Sequence, residues 1–175
     1  GMVPEDRQHE GLILPMSVGE NISLATLRFL TRWGLLRRRS ENELVETQIN
    51  NLSVKAANPR IAAATLSGGN QQKLVLGKWL ARNPKVLILD EPTRGVDVGA
   101  KSQVHQLIRD LAAKGVATLI ISSDLPELLS LCDRLLVIRS GRIAGELKGG
   151  TATQEAVLAL ALPDASESRT QEVER

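Results

Sequence analysis

Val86-Leu87-Ile88-Leu89 is continuously apolar and closes on Asp90-Glu91-Pro92, the pattern of a short strand covered on both faces in a parallel sheet. A helix over about 98–114 is predicted next, because Val104, Leu107, Ile108 and Leu111 fall on one stripe and Gly115 stands just past its end. Val116–Ile121 reads as a second strand of the same buried type, Asp124–Leu131 as a short helix, and Leu135–Ile138 and Ile143–Leu147 as strands flanking a Ser140-Gly141 turn. Upstream the period is helical. A helix is expected from near Glu20 toward Leu30, and a second from Ser40, where Ser40-Glu41-Asn42-Glu43 has the capping-box form. A third is expected from about Asn70 to Arg82, stopped by Asn83-Pro84, so residues 20–65 read as mainly helical and residues 3–19 as loop around a short apolar Leu12-Ile13-Leu14. Thr153 can cap a last helix through about Leu162, and 165–175 reads as a disordered polar tail. Strands alternating with helices make the chain α/β, without internal repeats.

Composition narrows the function classes. In 175 residues, 42% are apolar and 24% charged, which suits one domain, and a formal net charge of +2 does not by itself favour a polyanionic partner. A single cysteine, Cys132, excludes an intrachain disulfide and fits a reducing compartment; no Cys/His cluster has metal-ligand spacing. The longest apolar runs fall far short of the roughly 20 residues that cross a bilayer. Gly1 before Met2 reads as a cloning remnant, and no signal-peptide layout follows it. Tyr is absent and Phe29, Trp33 and Trp79 are the only aromatics, which disfavours base stacking and single-stranded nucleic acid as a partner. His9 and His105 are expected on the surface. Arg28, Arg32 and Arg37-Arg38-Arg39 form a basic stretch without an acidic residue from Leu27 to Arg39; it reads as a solvated helical face, with contact to a transmembrane subunit or its lipid, or to nucleic acid, as the other readings.

Two motifs carry chemistry. Asp90 and Glu91 end a buried strand, where open parallel sheets place their ligand crevice; the first carboxylate suits a Mg²⁺ shell and the second suits orienting a water for attack on a phosphoryl group. Leu66-Ser67-Gly68-Gly69 sits at a helix start, where glycines let backbone amides approach an anion and Ser67 adds a hydroxyl. Each has a bland reading, an acidic pair that merely ends a strand and an ordinary N-cap. Their order, with one helix between them, is far more specific than either.

In these residues the chain resembles the nucleotide-binding domain of ABC-type ATPases. Leu66-Ser67-Gly68-Gly69-Asn70-Gln71-Gln72-Lys73 looks like the signature motif, Val86–Glu91 like Walker B with its adjacent glutamate, Gly95-Val96-Asp97 like the D-loop, and Ser122-Ser123-Asp124 like the switch region. Val3-Pro4-Glu5-Asp6-Arg7 near the Q-loop position, the Asn-Gln-Gln-Lys tail of the signature and Pro92–Gly99 together look most like the second ATPase half of bacterial monosaccharide importers. The resemblance covers about 3–148. It implies a P-loop NTPase-like (RecA-like) parallel sheet with a helical subdomain, divided as 1–19 (Q-loop region), 20–82 (helical subdomain and signature helix), 83–148 (Walker B and remaining core) and 149–175 (C-terminal helix and tail).

It also implies roles: Glu91 as catalytic base; Asp90 as Mg²⁺ ligand; Ser67, Gly68, Gly69, Gln71, Asp97 and Ser123 as nucleotide-binding residues; and Glu5 at the Q-loop position. ATP and Mg²⁺ would be bound only in a complete, assembled domain, with a second ABC ATPase domain and transmembrane permease subunits as partners, at the cytoplasmic face of the membrane. The family's head-to-tail pairing puts each ATP between the P-loop of one domain and the signature of the other. Thus Ser67–Gly69 would serve a partner's nucleotide, while Asp90 and Glu91 belong beside this chain's own P-loop.

Two departures qualify the match. No Gly-x-x-x-x-Gly-Lys-Ser/Thr occurs in the sequence; Gly77-Lys78 is followed by Trp79, and Lys101-Ser102 follows Ala100. The domain is therefore expected to be incomplete at its N-terminus and inactive alone, and its uncovered sheet edges to drive self-association through 86–89, 116–121 or the Val104/Leu107/Ile108/Leu111 stripe. Ser123 also stands where many members carry a histidine, and a hydroxyl cannot hold positive charge near neutral pH. The alternatives are a non-catalytic module that presents its signature to another ATPase, and an ABC ATPase of chromosome maintenance or repair.

Overall fold

The computed structural model describes residues 1–162, which form two compact units, Gly1–Ile121 and the remainder from Ser122. In the first unit a three-stranded parallel sheet has the order β1 (Met2–Val3), β4 (Val86–Asp90), β5 (Ala117–Ile121). Met2 and Val3 pair with Ile88 and Leu89, and β4 matches β5 from Val86↔Ala117 to Asp90↔Ile121. Leu87, Leu89 and Val3 are fully buried, so one face of β4 is core. The other is not: Val86 on β4, and Leu119 and Ile121 on β5, are about half exposed, so the two strands are covered on one face rather than on both as their unbroken apolar runs implied.

The helical layer packs α1 (Val18–Ser23), α3 (Arg38–Leu52) and α4 (Gly68–Leu80) against one another, with α4 also lying on β1. The first of these starts two residues earlier than expected. Ser17 is its N-cap, and the capping box is Ser17/Glu20: the Glu20 amide donates to Ser17 Oγ while Ser17 N donates back to Glu20 Oε2 at 2.8 Å. The expected continuous helix to Leu30 breaks into a 3₁₀ turn over Leu24–Thr26 and a four-residue α2 (Leu27–Leu30). There Ser23 and Thr26 hydroxyls bond to carbonyls three residues back, a local competition with the helical ladder.

Ser40-Glu43 is not a cap. Helix α3 begins at Arg38, and Ser40 lies inside its first turn. A tertiary contact overrides the local signal: buried Glu41 accepts from Ser23 Oγ (2.8 Å) on α1 and from Arg38 Nη1 (3.0 Å), which pulls the helix start back to include Arg38. Residues 20–65 are mainly helical as expected, with two interruptions. Residues 31–36 form a hairpin of β2 (Thr31–Arg32) and β3 (Leu35–Leu36), and 53–62 are irregular apart from a bridge between Ser17 and Ala62. Residues 3–19 likewise hold more than loop, since Arg7–Gly11 make one π-helical turn capped by Asp6.

Buried Asn21 ties the 13–17 bend to α1, accepting from the Ile13 amide and donating to the Ile13, Met16 and Ser17 carbonyls. Two lysines of α4 are buried with a carbonyl each, Lys73 Nζ on Ser53 O (3.1 Å) and Lys78 Nζ on Gly11 O (2.5 Å), and burial lowers both ammonium pKa values. Helix α5 (Val98–Ala113) lies along β5 and buries Val104, Ile108 and Leu111 within the chain, so this stripe is not the self-association surface expected of it. His105, on the same helix, is half-buried rather than on the surface; His9 is exposed.

The second unit has α6 (Leu125–Leu131), an antiparallel hairpin of β6 (Arg134–Arg139) and β7 (Arg142–Lys148), and α7 (Gln154–Ala161) packed on both strands. The hairpin turns at Ser140-Gly141, both at positive φ (50° and 75°), as a tight two-residue loop requires. Thr153 caps α7 through the Ala156 amide. The expected disordered tail, 165–175, lies outside the described residues.

Candidate functional site

Within the first unit, the start of α4, the loop from Glu91 to Asp97 and the Glu5–Arg7 segment come together. Ser67 is the exposed N-cap of α4, yet its side chain makes no capping bond; its Oγ accepts instead from Asn70 Nδ2 (2.9 Å). The first-turn amides of Gly68, Gly69 and Asn70 precede the helix's own ladder and are not taken by the Ser67 side chain. Such amides at the positive end of a 13-residue helix are an anion-binding set, and Ser67 Oγ stands beside them.

The two glycines serve packing. A Cβ on Gly69 would lie 2.8 Å from Ala100 Cβ on α5, and one on Gly68 would lie 2.8 Å from Arg7 Nη2 and 3.2 Å from Gly95 O. They let the α4 start approach the 95–100 segment at near-backbone distance. Gln71, expected to touch nucleotide, is buried with its amide engaged inside the fold, donating to Ala63 O (3.3 Å) and accepting from Gln8 Nε2 (3.1 Å).

Asp90 is the last residue of β4 and half-buried; Glu91 follows at φ 45°, a left-handed conformation costly for a non-glycine residue and concentrated at functional sites. The Glu91 amide donates to Ile121 O (2.8 Å), which prolongs the β4–β5 pairing by one residue and fixes where the chain leaves the sheet. Between Glu91 and Asp97 the loop is closed by Arg94 N donating to Glu91 O and Val96 N to Thr93 O, and Gly95 sits at φ 66°. Asp97 caps α5 through the Ala100 amide (2.8 Å), so one of its carboxylate oxygens is already committed to the helix.

The residue that sequence reasoning did not single out is Arg7. Its Nη1 donates to Arg94 O (2.8 Å) and its Nη2 to Gly95 O (3.2 Å), while Glu5, expected at the Q-loop position, forms an ion pair with Arg94. The same guanidinium lies where a Gly68 side chain would be. One fork therefore joins the N-terminal segment, the 91–97 loop and the start of α4. These partners stand 87 and 88 positions away in sequence, so no local pattern could reveal them; the only signal is Arg7's presence in the Val3–Arg7 string. Beside it the His9 amide and ring hold Asp6's carboxyl below its ordinary pKa, and Asp6 in turn fixes the turn that carries Arg7.

Ser123 belongs to the second unit, where it is exposed between Ser122, whose Oγ donates to Glu127 Oε2 (2.7 Å), and Asp124, the N-cap of α6. The donor chemistry fits the groups the residues imply. Carboxylate oxygens at a strand end suit Mg²⁺, and first-turn amides with a hydroxyl suit phosphate.

Residues 1–94, just over half the chain, match the family model for the ABC transporter. The chain belongs to the ABC transporter family. It is 50% identical over 186 residues to the ribose import ATP-binding protein RbsA 1 of Streptomyces avermitilis, an alignment that covers 99% of the chain and 36% of that protein. It is 54% identical to RbsA 2 of Streptomyces coelicolor (93% and 31% covered) and 48% identical to RbsA of Bacillus subtilis (92% and 33%). The chain thus spans about a third of the length of the curated relatives it matches. Among solved structures it resembles MJ1267, an ATP-binding cassette of an ABC transporter, at TM-score 0.73 and 25% identity over 93% of the chain and 69% of that structure. The ADP- and Pi-bound dimer of the cassette MJ0796 matches at TM-score 0.71 and 23% identity over 85% and 62%. The fold is that of the ABC ATPase cassettes, a P-loop NTPase fold with a parallel sheet.

Proposed function

We propose that this chain is the signature- and Walker B-bearing portion of the second ATPase half of an ATP-binding subunit that drives monosaccharide import, with ribose the sugar its relatives' names favour. The observation that carries the reading is the presence in one unit of Ser67-Gly68-Gly69 at the start of α4 and Asp90-Glu91 at the end of β4, joined through the 91–97 loop. In this reading the two ends serve different nucleotides. Asp90 holds Mg²⁺, which when bound neutralises charge on the phosphates. Glu91 orients a water and accepts its proton as the γ-phosphoryl group departs. Ser67 Oγ and the Gly68 and Gly69 amides hold phosphate oxygens of a nucleotide carried by a second ATPase domain. The permease subunits and the cytoplasmic membrane face as location follow from the same reading, and the half-exposed apolar residues of β5, Leu119 and Ile121, become the surface on which the chain self-associates.

The test exchanges the matching third of the Bacillus subtilis relative for this chain and measures ATP binding, hydrolysis and ribose uptake. A functional chimera should lose about 10²–10⁴-fold in hydrolysis on Glu91→Gln with ATP binding retained. Ser67→Arg should abolish ATP-driven pairing of the two halves. A second reading, a site that presents its signature without turning over ATP, is favoured by Ser123 in the switch position. A chimera that transports equally well with Glu91→Gln would establish it.

A further inference from the structure

The hairpin of β2 and β3 turns on Trp33-Gly34, with φ of 55° and 77°. Two successive positive φ values are the geometry of a two-residue turn that favours Asn-Gly or Gly-Gly, and a bulky tryptophan in the first place is strained. The strain stabilises no packing: Trp33 is 90% exposed. Around it Phe29 (62%) and Leu35 (75%) are also exposed, so the hairpin tip is a convex apolar knob. Its base is firm, since Leu30 is buried and Arg37 N donates to Leu30 O (3.0 Å).

Around the knob stand Arg28, Arg32, Arg37, Arg38, Arg39 and, from the end of α4, Arg82, whose guanidinium lies 5.0 Å from the Phe29 ring centre. Arg38 and Arg39 pair with Glu41 and Glu43 on α3. Among the described residues no carboxylate pairs with Arg28, Arg32, Arg37 or Arg82. An indole at the tip, apolar flanks behind it and an arginine collar in which four guanidinium groups have no carboxylate partner match the layers of an anionic bilayer surface, where aromatic rings seat at the headgroup boundary and cations meet phosphate. A protein groove would ask for a knob of fixed shape, but the Trp33 ring is left almost wholly to solvent.

We propose that the 29–37 hairpin is a membrane-docking tip that seats Trp33 in the headgroup region of an anionic lipid surface, held there by the arginine collar. The inference concerns this chain's own surface and stands apart from the catalytic reading.

The test uses the 175-residue chain with Trp79→Phe, which leaves Trp33 as the only indole. It is mixed with vesicles of phosphatidylcholine, alone or with a quarter of phosphatidylglycerol. Sedimentation with the anionic vesicles, a blue shift of Trp33 emission, loss of its quenching by iodide, and reversal by high salt are expected. Arg28→Gln with Arg32→Gln should weaken partitioning by about 25-fold, at about fivefold per arginine. The decisive variant is Trp33→Asn. Asparagine suits a positive φ, so the folded chain should be as stable or more stable in urea, and yet its vesicle binding should be lost. Equal binding to neutral vesicles, anionic binding that leaves Trp33 emission unchanged, binding undiminished in Trp33→Asn, or binding to a single-stranded oligonucleotide in place of the vesicles would each overturn the proposal.

Discussion

Removing the guanidinium of Arg7 should unfasten the 91–97 loop without unfolding the unit. Arg7 contributes two charged-donor hydrogen bonds, to Arg94 O at 2.8 Å and Gly95 O at 3.2 Å, and its Nε is buried with no hydrogen-bond partner. Bonds with a charged partner are worth about 1.5–3 kcal/mol each when the group left behind is buried. Here water can reach the two carbonyls once the fork is gone, because Arg94 and Gly95 are exposed. The loss is therefore set below that range, near the value of ordinary solvent-accessible hydrogen bonds, about 1–2 kcal/mol for the pair. The loop's own closure is weak, resting on Arg94 N to Glu91 O at 3.1 Å and Val96 N to Thr93 O at 3.4 Å. Local opening free energy should fall by the same amount, which corresponds to a rise of about five- to thirtyfold in hydrogen exchange of those two amides. Mass-spectrometric exchange on the purified chain reads this directly. The Leu87–Leu89 amides of β4 serve as the internal control, and their exchange should not change. Arg7→Lys keeps the charge but offers a point in place of a planar fork, so it should recover only part of the protection. Unchanged exchange over 91–97 in Arg7→Ala, or an equal rise throughout β4, would refute the idea that this one side chain fastens the loop.

Gly69→Ala should destabilise the unit by about 1–3 kcal/mol, since its Cβ would stand 2.8 Å from that of Ala100, and Ala100→Gly in the same chain should restore most of the loss in urea denaturation. Leu87→Ala, at a fully buried position in the central strand, should cost about 2–5 kcal/mol, read as a lowered urea midpoint at unchanged slope. Ser17→Ala removes the α1 cap and should cost about 1 kcal/mol near neutral pH. That cost should shrink in acid: the Ser17 hydroxyl and amide hold Glu20's pKa below 4.5, so the carboxylate stabilises the fold above that value and the contribution is lost as pH falls through the lowered folded value. Thermal melts of both proteins across that range would show converging curves, and parallel curves would contradict the assignment.

The strands and helices that form by burying an apolar stripe were legible in the sequence, β4 and α5 best of all, because their hydrophobic period is set by the same core that fixes their place. Caps were less legible. Ser17-x-x-Glu20 and Ser40-x-x-Glu43 have the same form, and only the Ser23–Glu41–Arg38 contact between α1 and α3 decides that the second is passed over. The 31–36 hairpin was hidden because its turn carries tryptophan where asparagine or glycine would have announced it. At the site, Ser67, Gly68, Gly69, Asp90 and Glu91 could be picked out by motif, but the close approach of Gly68 and Gly69 to Arg7, Gly95 and Ala100 is a contact that only the folded chain displays.

On the proposed function, that contact gives the two halves of the motif a path by which to answer to one another. A nucleotide drawn against the first-turn amides of α4 would load the very backbone that Gly95 and Ala100 touch, and the loop from Gly95 leads within four residues to Glu91, itself held at a costly φ by its bond to Ile121 O. A residue in a sparsely populated conformation stays there only while its surroundings hold it, so displacing those neighbours releases it. The short path from Ser67 to Glu91 therefore runs through Arg7's two carbonyl bonds and the weakly closed 91–97 turn, and a change that loosens the turn while leaving Glu91 chemically intact should lower turnover in the chimera without lowering ATP affinity. Arg7→Ala is that change, and an equal fall in affinity and turnover would show instead that Arg7 belongs to nucleotide binding.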